Sequence, residues 1–282
     1  MERVNRMLLE AFALYLRNEK KEESTIKLYV AELEALLTKL GERPGGLAEA
    51  TTDDLLRYRN DLQAGGMKPA TINKRMSIAR TFFQWAGREG IADSSAAEGL
   101  RLDANAPPPI QWLSEAQERA LLAAASNALT DENGVRNEAL LAAMLYAGLR
   151  VKEVSYLRLD SLQGSRLVVS DEGGSFLRGV PLDDRALVPL LCWRRHRSEA
   201  IRSKHKESDF LFVTERSGFM QPRAVQFAVE SLSAKAGFPV RCSALRHSYC
   251  RRLAREGASV ERIRDWAGHK SPQTTVRYFE DL

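Results

Sequence analysis

The chain has 282 residues, 44% of them hydrophobic and 28% charged, long enough for two domains with real cores and too apolar for global disorder. Its net charge of +5 is uneven: residues 1–106 hold 16 basic and 16 acidic side chains, the remainder 26 and 21, and such a surplus suits an anionic partner such as nucleic acid. Cys192, Cys242 and Cys250 form no paired spacing, four histidines offer little to a structural zinc site, and neither a membrane span nor a signal core is visible, so a reduced, cytoplasmic protein without metal or membrane contact is expected.

The first hundred residues predict four or five helices and no strand. Residues 3–18 place Met7, Leu8, Phe12, Leu14 and Tyr15 at mostly helical spacing. Ser24 or Thr25 can cap a second helix carrying Ile26, Tyr29, Val30, Leu33, Leu36 and Leu37. Thr51 followed by Asp54 has the form of a capping box, and that helix stops at Gly65-Gly66. Pro69 suits the first turn of the next, which carries Ile72, Met76, Ala79, Phe82, Phe83 and Trp85. The run Asp103 to Gln111 contains three consecutive prolines and favours an extended linker. The expected division is therefore 1–102, a linker over 103–112, and a second domain over 113–282.

Ser114 with Gln117 makes a second capping box. Helices are predicted over 115–126 and 133–147, then a strand over 166–170, a turn over 171–175 and a return strand over 176–182. Helices resume over 184–200, 222–236, 243–256 and 259–267, and Gly257 and Gly268 stand where helix-ending glycines belong. The fold class is mainly α with a small antiparallel β-sheet.

Three short stretches near the C-terminus carry chemistry: Ala244-Leu245-Arg246-His247, Ala267-Gly268-His269 and Thr274-Thr275-Val276-Arg277-Tyr278. Far upstream stands Gly148-Leu149-Arg150-Val151-Lys152-Glu153. Breaking a phosphodiester requires a nucleophile, neutralisation of charge and a proton for the leaving oxygen. An arginine fork matches two phosphate oxygens, and two arginines around one phosphorus stabilise its transition state. Arg150 and Arg246 are the candidates. A tyrosine such as Tyr278 can store the bond energy as a covalent phosphotyrosine, while His269 can donate to the phosphate or orient the tyrosine. Singly, each has an ordinary reading: a solvated arginine, a helix-anchoring tyrosine, a structural histidine in a turn.

In this order and spacing the segments resemble the tyrosine recombinase (phage integrase) family, with an Xer-like layout. Pro69-Ala-Thr-Ile-Asn-Lys-Arg and Arg80-Thr-Phe-Phe-Gln-Trp are similar to the family's N-terminal domain, so the resemblance covers nearly the whole chain. It implies a helical core-binding (SAM-like) domain followed by an α+β catalytic domain, closing as a C-shaped clamp on double-stranded DNA at a specific recombination site. It also implies a reaction without metal or cofactor: Tyr278 attacks the scissile phosphate and leaves a 3′-phosphotyrosine and a free 5′-hydroxyl. Arg150 and Arg246 clamp the non-bridging oxygens, His269 assists, Glu153 orients, and a partner strand's 5′-hydroxyl then reseals the bond. Integration, excision and resolution all fit this chemistry. Exchange between two duplexes requires four subunits.

The pattern departs from the family in three places. The first position of its His-x-x-Arg-His motif is Ser243, a poor general base. The lysine the family places in the hairpin is absent, since no lysine occurs between Lys152 and Lys204 and the expected position falls near Gly173. Arg178 remains in the return strand but is a poor proton donor. Only four residues follow Tyr278, which puts a docking C-terminal helix in doubt. Proton transfer then falls to Lys152, to His247 or to another subunit; alternatively the chain cleaves slowly, or binds DNA without recombining. A catalytically impaired accessory protein and a type IB topoisomerase stay open as rivals. For DNA contact, Lys68, Asn73, Lys74, Arg75 and Arg80 cluster on or near one helix, and Arg194, Arg195 and Arg223 are candidates in the second domain.

Overall fold

The computed structural model describes residues 2–41, 46–97, 100, 109–126, 132–199, 206–214 and 216–280. Most of the expected linker, 103–108, and residues 201–205 lie outside the described residues. The chain divides into two compact units, residues 1–108 and 109–282.

The first unit is helical: α1 (Glu2–Asn18), α2 (Glu23–Leu40), α3 (Thr52–Ala64) and α4 (Pro69–Arg88), followed by a 3-10 turn at Ser94–Ala97. The Thr51 hydroxyl accepts from the Asp54 N–H while the Asp54 carboxylate accepts from the Thr51 N–H, satisfying two donors that a helix start leaves open. Pro69 occupies the first turn of α4, and Ile72, Met76, Ala79, Phe82, Phe83 and Trp85 are all buried. Phe12 joins them with its ring 5.3 Å from Phe82, edge to face. Two expectations fail here. Met7 and Leu14 are 61% and 57% exposed, because α1 turns Leu8, Leu9, Phe12, Ala13 and Leu16 inward instead. The start of α2 is capped by neither Ser24 nor Thr25; Glu22 holds the cap position without a side-chain capping bond, its carboxylate instead accepting from the Ser24 hydroxyl at 3.3 Å.

The second unit surrounds α6 (Glu132–Leu145), a helix whose residues 139–145 are entirely buried. Against it pack α5 (Glu115–Ser126), α7 (Val151–Ser155), α8 (Asp184–Ser198), α9 (Pro222–Ala236) and α10 (Cys242–Arg255). The Ser114–Gln117 box caps α5 in both directions. The hairpin is one edge of a three-stranded antiparallel sheet, β1 (Leu162–Gln163), β2 (Arg166–Ser170) and β3 (Phe176–Pro181), in that order. Leu167 pairs with Val180 and Val169 with Arg178, so Leu167, Val169, Val180 and Arg178 share the buried face. β3 lies against α11 (Val260–Ala267), which is followed by α12 (Pro272–Val276). α8 ends at Ser198 and α6 at Leu145, each two residues before the periodicity suggests. Among the described residues no helix is long and apolar enough to cross a membrane, and no cluster of His, Cys, Asp and Glu could hold a metal ion.

Candidate active site

The site is built around the C-terminal end of α11. Gly268 adopts a left-handed φ of +66°, and the His269 N–H bonds back to the Arg264 carbonyl at 3.0 Å, closing a Schellman-type cap. The last carbonyls of a helix have no partners within it and carry the negative end of its dipole. Here three arginines supply those partners. Arg178 Nε donates to the Trp266 carbonyl at 2.7 Å, Arg246 Nη2 to that of Ala267, and Arg150 Nη2 to that of Gly268 at 2.6 Å. One helix end thereby gathers side chains from α10, from β3 and from the residue before α7.

Arg150 is fixed from its other side by Glu153. The Arg150 backbone N–H donates to Glu153 Oε2 at 2.8 Å and its Nη1 to Oε1 at 2.8 Å. Glu153 also receives both terminal nitrogens of Arg178, at 2.7 and 2.8 Å, a two-pronged pair that is buried on both sides. Burial alone would raise the carboxyl's pKa; the bond and charge of Arg178, with the N–H and charge of Arg150, outweigh it and hold the group at about 2. Glu153 is therefore ionised at neutral pH and orients Arg150, whose side chain stays 44% exposed.

Arg246 is the deeper of the two phosphate candidates, 9% exposed, with Nη1 donating to the Gly148 carbonyl at 2.5 Å. Burial, and then the neighbouring charge of Arg150, bring its pKa down to about 10, so it still carries its charge at pH 7. That carbonyl is available because Gly148 turns through φ +65°, where a Cβ would stand 2.3 Å from the Tyr249 ring.

Tyr278 is 1% exposed. Its ring lies nearly parallel to that of His269, centroids 5.8 Å apart, and its hydroxyl is 2.6 Å from Nδ1 of His247. The hydroxyl also shares a hydrogen bond with the Cys250 thiol, and burial pushes the phenol's pKa up. Arg251 holds the backbone at this point, donating to the Tyr278 carbonyl at 2.8 Å and to that of Glu280 at 2.5 Å. His269 Nδ1 is 2.9 Å from the hydroxyl of the fully buried Thr275. Burial and the charges of Arg246 and Arg150 lower the His269 pKa to about 4, and His247 is lowered by burial, Arg246 and Arg277. Both imidazoles are neutral at pH 7.

Residues 111–282 match the phage integrase family and residues 9–90 its N-terminal SAM-like domain. The chain belongs to the phage integrase family. It is 29% identical to tyrosine recombinase XerC of Mycobacterium sp. (strain JLS), over 96% of this chain and 93% of the relative. It is 25% identical to tyrosine recombinase XerA of Pyrococcus horikoshii, over 98% and 90%. The fold is similar to that of the Tn1549 transposon integrase in complex with circular intermediate DNA, with a TM-score of 0.77 at 19% identity, covering 98% and 95% of the two chains.

Within this integrase fold, Arg150, Arg246, His269 and Tyr278 are brought together, and Ser243 is not drawn in. It lies on the first turn of α10, exposed, its hydroxyl bonded to no described residue. The hairpin turn is closed by Asp171, which accepts from the Ser175 and Gly174 N–H groups, and no lysine lies in β2, β3 or the turn. Of the residues expected to meet DNA, Lys68, Lys74, Arg195 and Arg223 are exposed, the last two in surface ion pairs with Glu199 and Glu230. Arg75 is instead half-buried, 2.9 Å from Glu32 and donating to the Tyr58 hydroxyl. Arg80 donates to the Leu100 carbonyl and Arg194 to that of Leu162. Asn73 is half-buried and already has a partner.

In the sequence, Glu153 already reads as an orienter, but other parts that hold the site pass unread. Arg178 is set aside there as a poor proton donor, yet strand alternation puts it on the inward face of Val180, where a charge must find a partner. Cys250 and Arg251 stand three and four residues beyond His247, on the same face of α10, which marks them as its neighbours. Thr275 carries no local signal for its bond to His269.

Proposed function

We propose that Tyr278 is the nucleophile of this chain and that Arg150 and Arg246 are its phosphate clamp. Membership of the phage integrase family makes the chain a tyrosine-type site-specific DNA recombinase, one that breaks and rejoins strands through a phosphotyrosine. The observation that carries the residue assignment is the convergence of both arginines on the carbonyls of one helix end, beside a tyrosine held between two neutral histidines. Tyr278 attacks the scissile phosphorus and becomes a 3′-phosphotyrosine. Arg150 and Arg246 neutralise the non-bridging oxygens as charge builds in the transition state. His269, fixed by Thr275, supports the tyrosine ring. Resealing follows when a 5′-hydroxyl of the partner strand attacks.

The substrate is double-stranded DNA carrying a recombination site, met by the N-terminal helical unit and the catalytic unit together, with 1–102 and 113–282 as the two working domains. Lys68, Lys74, Arg195 and Arg223 are the exposed cations suited to phosphates. Exchange between two duplexes uses four active sites, and a tetramer on two sites is the assembly that supplies them.

The test is covalent trapping on a nicked duplex selected from a random pool by retention on the protein. A denaturation-resistant protein–DNA band is expected, and Tyr278→Phe should abolish it while still binding DNA. Retention without any band from the wild-type chain would leave a DNA-binding relative in place of an enzyme.

A further inference from the structure

Among the described residues, one basic nitrogen lies on the nucleophilic oxygen. Nδ1 of His247 is 2.6 Å from the Tyr278 hydroxyl, while Nδ1 of His269 is occupied by Thr275 and its ring lies nearly parallel to that of the tyrosine, centroids 5.8 Å apart. We infer that His247 is a catalytic residue that takes the phenolic proton of Tyr278 during cleavage and returns it during resealing. The inference rests on the reading of Tyr278 as the nucleophile.

The other groups around the phenol do not compete for this role. Ser243 is exposed on the first turn of α10 and is a weak base. Arg178 spends its guanidinium on Glu153 and the Trp266 carbonyl. The Cys250 thiol, pushed up to about 11 by burial, keeps its own proton. His247 is well placed to accept. The charges facing it are Arg246 on its own helix and Arg277 after α12, both of which oppose protonation, as burial does. Tyr278, Cys250 and His269 are the other titratable groups around it, all uncharged at pH 7. The imidazole is thus neutral, and in the tautomer with its proton on Nε2 it offers Nδ1 as an acceptor.

The Tyr278 Oη–P bond forms, the P–O5′ bond breaks with its electron pair on O5′, the phenolic proton passes to His247 Nδ1, and O5′ takes a proton from water. In resealing the 5′-hydroxyl attacks and loses its proton to water, the Oη–P bond breaks, and His247 gives its proton back to Oη.

The experiment is single-turnover trapping on the pool-selected nicked duplex, made once with the ordinary 5′-oxygen and once with a bridging 5′-sulfur that leaves without protonation. His247→Ala should slow covalent complex formation by about 10²–10⁴-fold on both substrates, the usual loss for one acid–base group, with DNA retention unchanged. His247→Asn places an amide near the position of Nδ1 and keeps a hydrogen bond without basicity. It should be equally slow, and the acid limb of the wild-type pH–rate profile should vanish with it. A wild-type rate for the Asn variant would reduce His247 to a positioning residue. A defect that disappears on the sulfur substrate would assign the proton to the leaving oxygen, and faster cleavage by His247→Ala would make the contact a latch; each overturns the inference. Silence of the wild-type chain on both substrates is a separate result, which removes Tyr278 as nucleophile and this role with it.

Discussion

Glu153 shows how much of the site depends on a side chain that never meets substrate. Its carboxylate neutralises the buried Arg178 and orients the half-exposed Arg150 at the same time. Removing one partner of a buried ion pair strands the other, at a cost of about 3–5 kcal/mol. Glu153→Ala should therefore lower the unfolding free energy of the catalytic unit, read from urea titration, by that much, and a loss under about 1 kcal/mol would mean that water replaces the carboxylate. The pH dependence has a definite sign. The folded-state pKa is about 2 against 4.5 for an ordinary glutamate, so this stabilisation is complete above pH 4.5 and disappears as the pH falls toward 2. Denaturant titrations across that window should show the decline in the wild-type protein, and Glu153→Ala should lack that component. His269 acts in a higher window. Kept neutral in the fold down to about 4 against an ordinary 6.5, it makes the protein lose stability as the pH falls from 6.5 to 4.

At the scale of elements, the site is a meeting of ends: the end of α11, the start of α7, and the turn at Gly148 that leads into it. The Gly148 carbonyl holds Arg246, and the +65° φ that aims it there leaves no room for a Cβ beside Tyr249. Gly148→Ala should cost about 1–2 kcal/mol in backbone strain alone, with the Tyr249 clash in addition, and should slow covalent complex formation by loosening Arg246. Unchanged thermal stability and an unchanged trapping rate would show that the turn can relax at no cost. The same contrast explains what could be read in advance. Capping boxes at Thr51 and Ser114 and the glycine after α11 are written in residues one turn apart, and the helices they bound are legible. The Arg246–His247 and Tyr278 motifs are legible as an ordered set. α7 and α12, each five residues long, are too short to show a period. The bonds that make the site, Arg178 to Glu153 and His247 to Tyr278, span 25 and 31 residues, and no local pattern encodes them.

The molecule's basic surplus lies beyond residue 106, which suits an anionic partner. An N-terminal unit without net charge must then meet a duplex through a local patch, and the packing narrows which cations can form it. Arg75 and Arg80 serve the helical bundle, one paired with Glu32 and the other bonded to the Leu100 carbonyl, while Lys68 and Lys74 stay exposed at the start of α4. Each phosphate neutralised adds about 0.9 to the slope of log affinity against log salt. The Lys68→Ala/Lys74→Ala double variant should therefore bind the selected duplex with a slope shallower by about 1.8, read from filter-binding isotherms between low and moderate salt. Arg75→Gln should leave that slope unchanged and lower the unfolding midpoint of the N-terminal bundle instead, because it removes a partner of Glu32 rather than of DNA. The opposite result, a slope indifferent to the lysines and sensitive to Arg75, would mean that DNA draws Arg75 out of its ion pair. The N-terminal unit would then rearrange its own electrostatics in order to bind.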